Sequence, residues 1–313
     1  MDQQQYRMEP NIVPPKRENR FLRIWGPLLI KWGIGIGISM FAMFLIEGVV
    51  IIRESGLNIN NMQDYGQIQE FLTNYLNDTA TSSDFMNKLT IEFLKYTTPV
   101  QGVAALVTIP ILMIMFHRDR IKERISGFIP NKKAAIWKYS GIVVMVAAMT
   151  IGLNNLIVIS GLSKASESYE QTLESFYTAS IPVQILCLGI LIPLCEEYVF
   201  RGLMFRRLRQ TDSFLRAAIY SSLVFGFFHI NIVQTLYGFV LGMLFCYFYE
   251  KYGSVKAPIL AHIVANIISV ILTEVNALEW MAQVPLRMGI ITVACASVAS
   301  TMYVLIQRID EKP

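Results

Sequence analysis

The feature that most constrains this chain is the recurrence of apolar runs near twenty residues long, the length an α-helix needs to cross bilayer hydrocarbon. Hydropathy places eight of them, at about 28–52, 97–116, 139–160, 181–205, 214–230, 235–249, 256–273 and 287–306. Only 16% of the residues are charged and 54% are hydrophobic, whereas a soluble domain carries about a quarter charged. The expectation is an all-α, polytopic membrane protein with about eight transmembrane helices, embedded in membrane lipids. The net charge of +4 calls for no nucleic acid, because cytoplasmic loops of membrane proteins are routinely rich in Lys and Arg.

Those loops set the expected orientation. With the N-terminus inside, twenty-one Lys and Arg residues fall on the cytoplasmic side and five outside, with Lys31 inside the first span. The positive-inside rule then gives a multi-pass cell-membrane protein with both termini cytoplasmic. Residues 1–23 read as a cytoplasmic tail ending in a basic cluster, rather than as a cleavable signal. Residues 24–178 hold the first helices and two outer loops, 179–273 a core, and 274–313 the last helix and a short cytoplasmic tail. The outer loops read as solvated linkers, one with an amphipathic stretch around Ile68–Leu76, the other carrying Glu167, Glu170 and Glu174. Gly33-xxx-Gly37 and Gly238-xxx-Gly242 read as close helix–helix contacts. Cys187, Cys195, Cys246 and Cys295 all lie in apolar runs with no CxxC pairing, so they read as small buried residues.

Ionisable side chains inside spans cost several kcal/mol, and each is a functional candidate by default. Three clusters in the second half of the chain qualify. In Cys195-Glu196-Glu197-Tyr198-Val199-Phe200-Arg201, Glu197 and Arg201 stand four apart with the acid first, the favourable order for a helical ion pair. Glu196 points about 100° away, free for chemistry. Pro193 should kink the helix just upstream. The second cluster is Phe225-Gly226-Phe227-Phe228-His229 and the third His262-Ile263-Val264-Ala265-Asn266, where His262 and Asn266 share one helix face. Glu196 and His229 each stand thirteen residues from a shared basic turn, Arg209 to Arg216, so both lie roughly 20 Å from it. His262 follows Lys256 by six residues, about 9 Å, a mismatch in depth.

In order, EEYVFR, FGFFH and HIVAN resemble the three signatures of the CAAX protease and bacteriocin-processing (CPBP, Abi) family, relatives of the type II CAAX prenyl endopeptidase. The resemblance covers residues 180–272 and implies an intramembrane protease of eight helices with a polar cavity opening to the cytoplasm. It implies that Glu196 and His229 activate a water, that His262 and Asn266 stabilise the oxyanion, and that Glu197 and Arg201 support them. The substrate would be a peptide or a membrane-associated protein. Chemistry independent of the resemblance agrees, since peptide hydrolysis needs a base for water and donors for a developing oxyanion. No cofactor is expected, and zinc held by His229, His262 and Glu196 is the mechanistic rival. Two other functions compete: an immunity or scaffold protein that binds peptides without turnover, and a transporter with a Glu–His proton relay.

Overall fold

Apolar helices carrying basic ends organise the whole chain. The computed structural model describes residues 19–55, 83–127, 131–162, 166–229 and 231–309, with Gly66, Gln69 and Thr73 as isolated helical positions. The tail through residue 18, most of the Ile68–Leu76 stretch, the side chains of Glu167 and Glu174, and residues 310–313 lie outside the described residues. The described chain is helical, without strands. Its elements are α1 (Arg20–Ser55), α2 (Ser83–Ile125), α3 (Tyr139–Ile159), α4 (Glu167–Tyr177), α5 (Ile181–Arg209), α6 (Phe214–Phe227), α7 (Ile232–Tyr252), α8 (Lys256–Glu274), α9 (Ala277–Ala282) and α10 (Pro285–Gln307). Seven of them are long and apolar enough to cross a membrane, which makes this an all-α polytopic membrane protein.

The eighth expected span is shorter than its hydropathy suggested. Helix α6 has 14 residues, about 21 Å at the helical rise, against a hydrocarbon core of about 30 Å. The reason is a cap. Asn231 accepts from the Gln234 backbone N–H at 2.8 Å, and its amide donates to the Gln234 side chain at 2.7 Å. That reciprocal pairing starts α7 and ends the run early. His229 therefore sits in the α6–α7 turn and not within a helix, with its backbone N–H on the Gly226 carbonyl. Non-helical backbone at such depth is tolerated where protein surrounds it or where it lines a cavity.

Two apolar cores meet at α7. One gathers Phe200, Leu203, Met204 and Phe205 of α5 with Leu112 of α2, Phe225 of α6, and Cys246 and Tyr249 of α7. The other joins Ile142 and Val146 of α3 to Phe245 and Phe248 of α7, Ala261 and Ala265 of α8, and Ala299 of α10. At the basic end, ion pairs lock the helices together. The Arg206 guanidinium straddles Glu123 at 2.9 and 3.1 Å, Arg207 meets Asp119 at 2.6 Å, and Arg209 meets Glu250 at 2.7 Å. Bidentate Arg–carboxylate geometry of this kind fixes register as well as adding energy.

The small-residue motifs divide. Gly238 and Gly242 do meet a partner: a Cβ on Gly238 would stand 3.4 Å from the Gly226 Cα, and one on Gly242 2.9 Å from Ser222 of α6. Gly33 and Gly37 meet nothing within 4 Å among the described residues, so the expected close contact there is absent. Helix α1 docks instead at its two ends, where Leu28, Ile24 and Trp25 reach the first core and Val50, with Met43, Ile46 and Ile51, packs on Phe85 and Leu89 of α2.

Candidate active site

Helix α5 supplies the acidic pair, and it does so from an unusual backbone. A six-residue α-helical segment, Ile192–Glu197, is flanked by π-helical turns at Ile185–Leu191 and Tyr198–Phe205. Pro193 lies in the first turn of that α segment, where it has no backbone N–H to contribute. The turn before it is π-helical, and such turns occur often at functional sites.

Glu197 points inward and is fully buried. Its Oε1 accepts from Arg201 Nη1 at 2.7 Å, the pairing expected from the four-residue spacing, and also from His262 Nδ1 at 2.8 Å. The Arg201 guanidinium, equally buried, lies over the rings of Phe225 at 4.4 Å and Phe245 at 5.1 Å. Gly242 leaves room for it, since a Cβ there would come within 3.0 Å of Nη2. Glu196 faces the other way, into a cavity of about 800 Å³, together with His229, His262 and Asn266. Glu196 is not free, however. Lys31 of α1 holds its Oε1 at 2.8 Å, and its Oε2 stands 3.9 Å from His262 Nε2.

The hydrogen bonds define which ring nitrogens can act. His229 Nδ1 lies 2.9 Å from the Phe225 carbonyl. A carbonyl only accepts, so Nδ1 carries the proton and Nε2 keeps its lone pair in the neutral ring. The same logic applies to His262, whose Nδ1 donates to the Glu197 carboxylate and whose Nε2 turns toward Glu196. Asn266 and His262 both line the cavity, as their shared face implies, and each spends one polar group on α5. The Asn266 amide donates to the Leu188 carbonyl in the first π turn at 2.8 Å, which leaves one N–H and the oxygen for the cavity. The depth mismatch of His262 also has a cause. The α7–α8 turn is set back into the protein and covered by residues 131–135, with Ala134 N–H on the Tyr252 carbonyl and the Asn131 amide on the Glu250 carbonyl.

Among the described residues no three His, Cys, Asp or Glu side chains converge as a metal-binding group. His229, His262 and Glu196 share the cavity wall without forming a ligand set. The four cysteines stay unpaired, three of them buried, as the apolar runs implied.

The cavity extends away from the basic turns. Lys31, Glu196 and His262 mark its deep end, and its far wall is α4, which contributes Tyr169, Thr172, Leu173, Phe176 and Tyr177. No residue of the basic stretches 118–124, 206–216 or 251–256 lines it. Helix α4 starts at the Ser166 cap and is tied down by the Thr98 hydroxyl on the Phe176 carbonyl at 2.8 Å. Burial against the wall pushes the Tyr169 and Tyr177 hydroxyls above their ordinary range.

A helical membrane protein with carboxylates, imidazoles and an amide around a buried cavity has the equipment of a membrane-embedded hydrolase. Residues 178–268 match the Rce1-like family, described as type II CAAX prenyl endopeptidase Rce1-like. The chain is 24% identical over 192 residues to "Putative membrane peptidase YdiL" of Bacillus subtilis strain 168, covering 61% of this chain and 77% of that protein. It is 28% identical over 195 residues to "Membrane-embedded CAAX protease MroQ" of Staphylococcus aureus strain USA300, covering 59% and 78%. No solved structure matches. The class is a hydrolase, a membrane endopeptidase. The segment 178–268 is the part of the chain similar to the Rce1-like family.

Sequence reasoning missed Lys31 as a partner of the site. The signal was present: a lone lysine in an apolar span must find an anion or a path to water.

Proposed function

We propose that this enzyme hydrolyses a peptide bond of a peptide or membrane-associated protein, within the membrane, by metal-free activation of water. Glu196 and His229 are the groups that take the proton from water. His262 and Asn266 stabilise the oxyanion, and Glu197 with Arg201 holds His262 in place. The single observation that carries this reading is the hydrogen-bond pattern of the imidazoles. His229 spends Nδ1 on the Phe225 carbonyl and so offers an unprotonated Nε2 to the cavity that Glu196 also faces. A general base needs that combination of a lone pair and access.

His262 plays a conditional part. With Nδ1 on the Glu197 carboxylate, its Nε2 donates to an oxyanion only as an imidazolium, and the anion behind it supports that form.

Orientation follows from charge: the basic ends of α2, α5 and α7 face the cytoplasm, together with both termini. On that orientation the cavity extends toward the opposite face, and substrate meets α4 on its way to Glu196. The wall it meets is aromatic and neutral, so a segment with apolar side chains is the substrate class it fits. The experiment is a comparison of membrane proteomes with the wild type and with Glu196→Ala. Precursors that accumulate uncut in the variant support the reading, and identical peptide termini in the two refute it.

A further inference from the structure

Helix α1 carries a single charge between Ile24 and Ile46, and that charge is Lys31. An ammonium at such depth costs about 2.5–3.5 kcal/mol even on insertion scales. The apolar contacts of α1 lie toward its ends, Leu28 with Ile24 and Trp25 at one and Val50 with Met43, Ile46 and Ile51 at the other. Gly33, Gly35 and Gly37, on the turns beyond Lys31, face open space. Yet the lysine is aimed inward, 2.8 Å from Glu196 Oε1 and on the wall of the active cavity.

We propose that Lys31 is a positioning residue of the catalytic centre, so that α1, outside the segment shared with the Rce1-like family, completes the site. The proposal rests on the reading of Glu196 as a base. Two physical effects support it. The first is orientation. The terminal torsion of a glutamate is broad and roughly two-fold, so an unanchored carboxylate swings. Lys31 takes Oε1 and leaves Oε2 as the oxygen beside His262 Nε2. The second is charge balance. Glu196 and Glu197 are matched by Lys31 and Arg201, so the imidazolium form of His262 leaves the cluster one positive charge with which to meet a developing oxyanion. Without Lys31 that charge is cancelled, and in a poorly hydrated place the oxyanion loses a strong attraction.

The test uses the full-length enzyme in detergent with a quenched-fluorescent peptide library, comparing wild type, Lys31→Met, Lys31→Arg and Glu196→Gln. Displacement of a reacting group by about 1 Å costs roughly 100-fold in rate. Lys31→Met is expected to lower kcat about 10- to 100-fold with KM nearly unchanged, and Lys31→Arg to recover most of it. Wild-type kcat in Lys31→Met, alongside an inactive Glu196→Gln, overturns the proposal and leaves the reading of Glu196 intact. Full activity in Glu196→Gln refutes that reading, and this proposal with it. A second measurement needs no turnover. Melting temperatures of Lys31→Met, Glu196→Gln and the double variant should be non-additive, the double being no worse than the weaker single. Additive losses mean that the pair does not form, and they also overturn the proposal.

Discussion

Glu197→Gln probes the most deeply buried charge in the protein. The substitution keeps the volume and one acceptor oxygen but removes the anion that serves both Arg201 and His262, at 2.7 and 2.8 Å. Arg201 is then a fully buried cation whose Nε and Nη2 already have no hydrogen-bond partner among the described residues. Breaking one side of a buried ion pair costs about 3–5 kcal/mol. The Phe225 and Phe245 faces, at 4.4 and 5.1 Å from the guanidinium, retain about 1–2 kcal/mol of cation–π attraction. That attraction is present before and after the change, so the expected loss stays about 3–5 kcal/mol. At roughly 2–4 °C per kcal/mol for a large domain, the melting temperature in detergent should fall by about 6–20 °C. Scanning fluorimetry reads this directly. The double variant Glu197→Met with Arg201→Met is the control, because an apolar pair of similar volume avoids the stranded charge and should recover much of the loss. A Glu197→Gln protein with an unchanged melting temperature, or a double variant less stable than either single, would refute the ion-pair reasoning.

Glu196→Gln should abolish proteolysis while the protein still inserts and folds, with some loss of melting temperature because Lys31 loses its anion; retained turnover on a genuine substrate excludes it as base. Activity should survive prolonged chelation and metal-free purification, and stoichiometric zinc lost in both His229→Ala and His262→Ala, together with all activity, would decide for the metal route. Asn266→Ala should lower kcat more than it changes KM, by about 100- to 1000-fold, which steady-state kinetics will show. Cysteines placed at Glu170 and Thr211, both on exposed positions at opposite ends of the bundle, should label with impermeant maleimide from outside and only after permeabilisation, respectively. The reverse pattern overturns the orientation. Gly226→Val should unfold or inactivate the enzyme, because a Cβ there would already stand 2.6 Å from the Thr235 carbonyl, a backbone atom that cannot move aside.

Local rules made part of this site legible in the sequence. Four residues of helix separate Glu197 from Arg201, and that spacing alone gives the buried pair. Counting from the basic turn put Glu196 and His229 at one depth, and both line one cavity. What escaped depended on contacts between distant segments. Lys31 and Glu196 are 165 positions apart, and nothing local to either names the other. His262 and Asn266 share a face by arithmetic and both line the cavity, but their anchoring partners, Glu197 and Leu188 on α5, could not be read locally. The early end of α6 was readable: Asn231 and Gln234 carry the capping pattern. A hydropathy window averages over it, because the residues on either side are apolar on both helices.

The π-helical turns of α5 have a consequence for chains that carry the same motifs. Each extra residue in a helical turn rotates the remainder of the helix by about 100°. Both flanks of the acidic pair are clamped from outside, Gly189 against Ile267 of α8 and Gly202 against Phe116 of α2. The direction in which Glu196 and Glu197 point is thus set by a count of residues between two fixed contacts. Deleting one residue from Ile185–Leu191 leaves every signature letter in place, and hydropathy barely changes. It would nevertheless turn Glu196 off the cavity and Glu197 off Arg201's neighbourhood of aromatic rings. A chain can therefore spell the full motif and be silent as an enzyme, and the length of the stretch before the two glutamates is what distinguishes a working copy from a mute one.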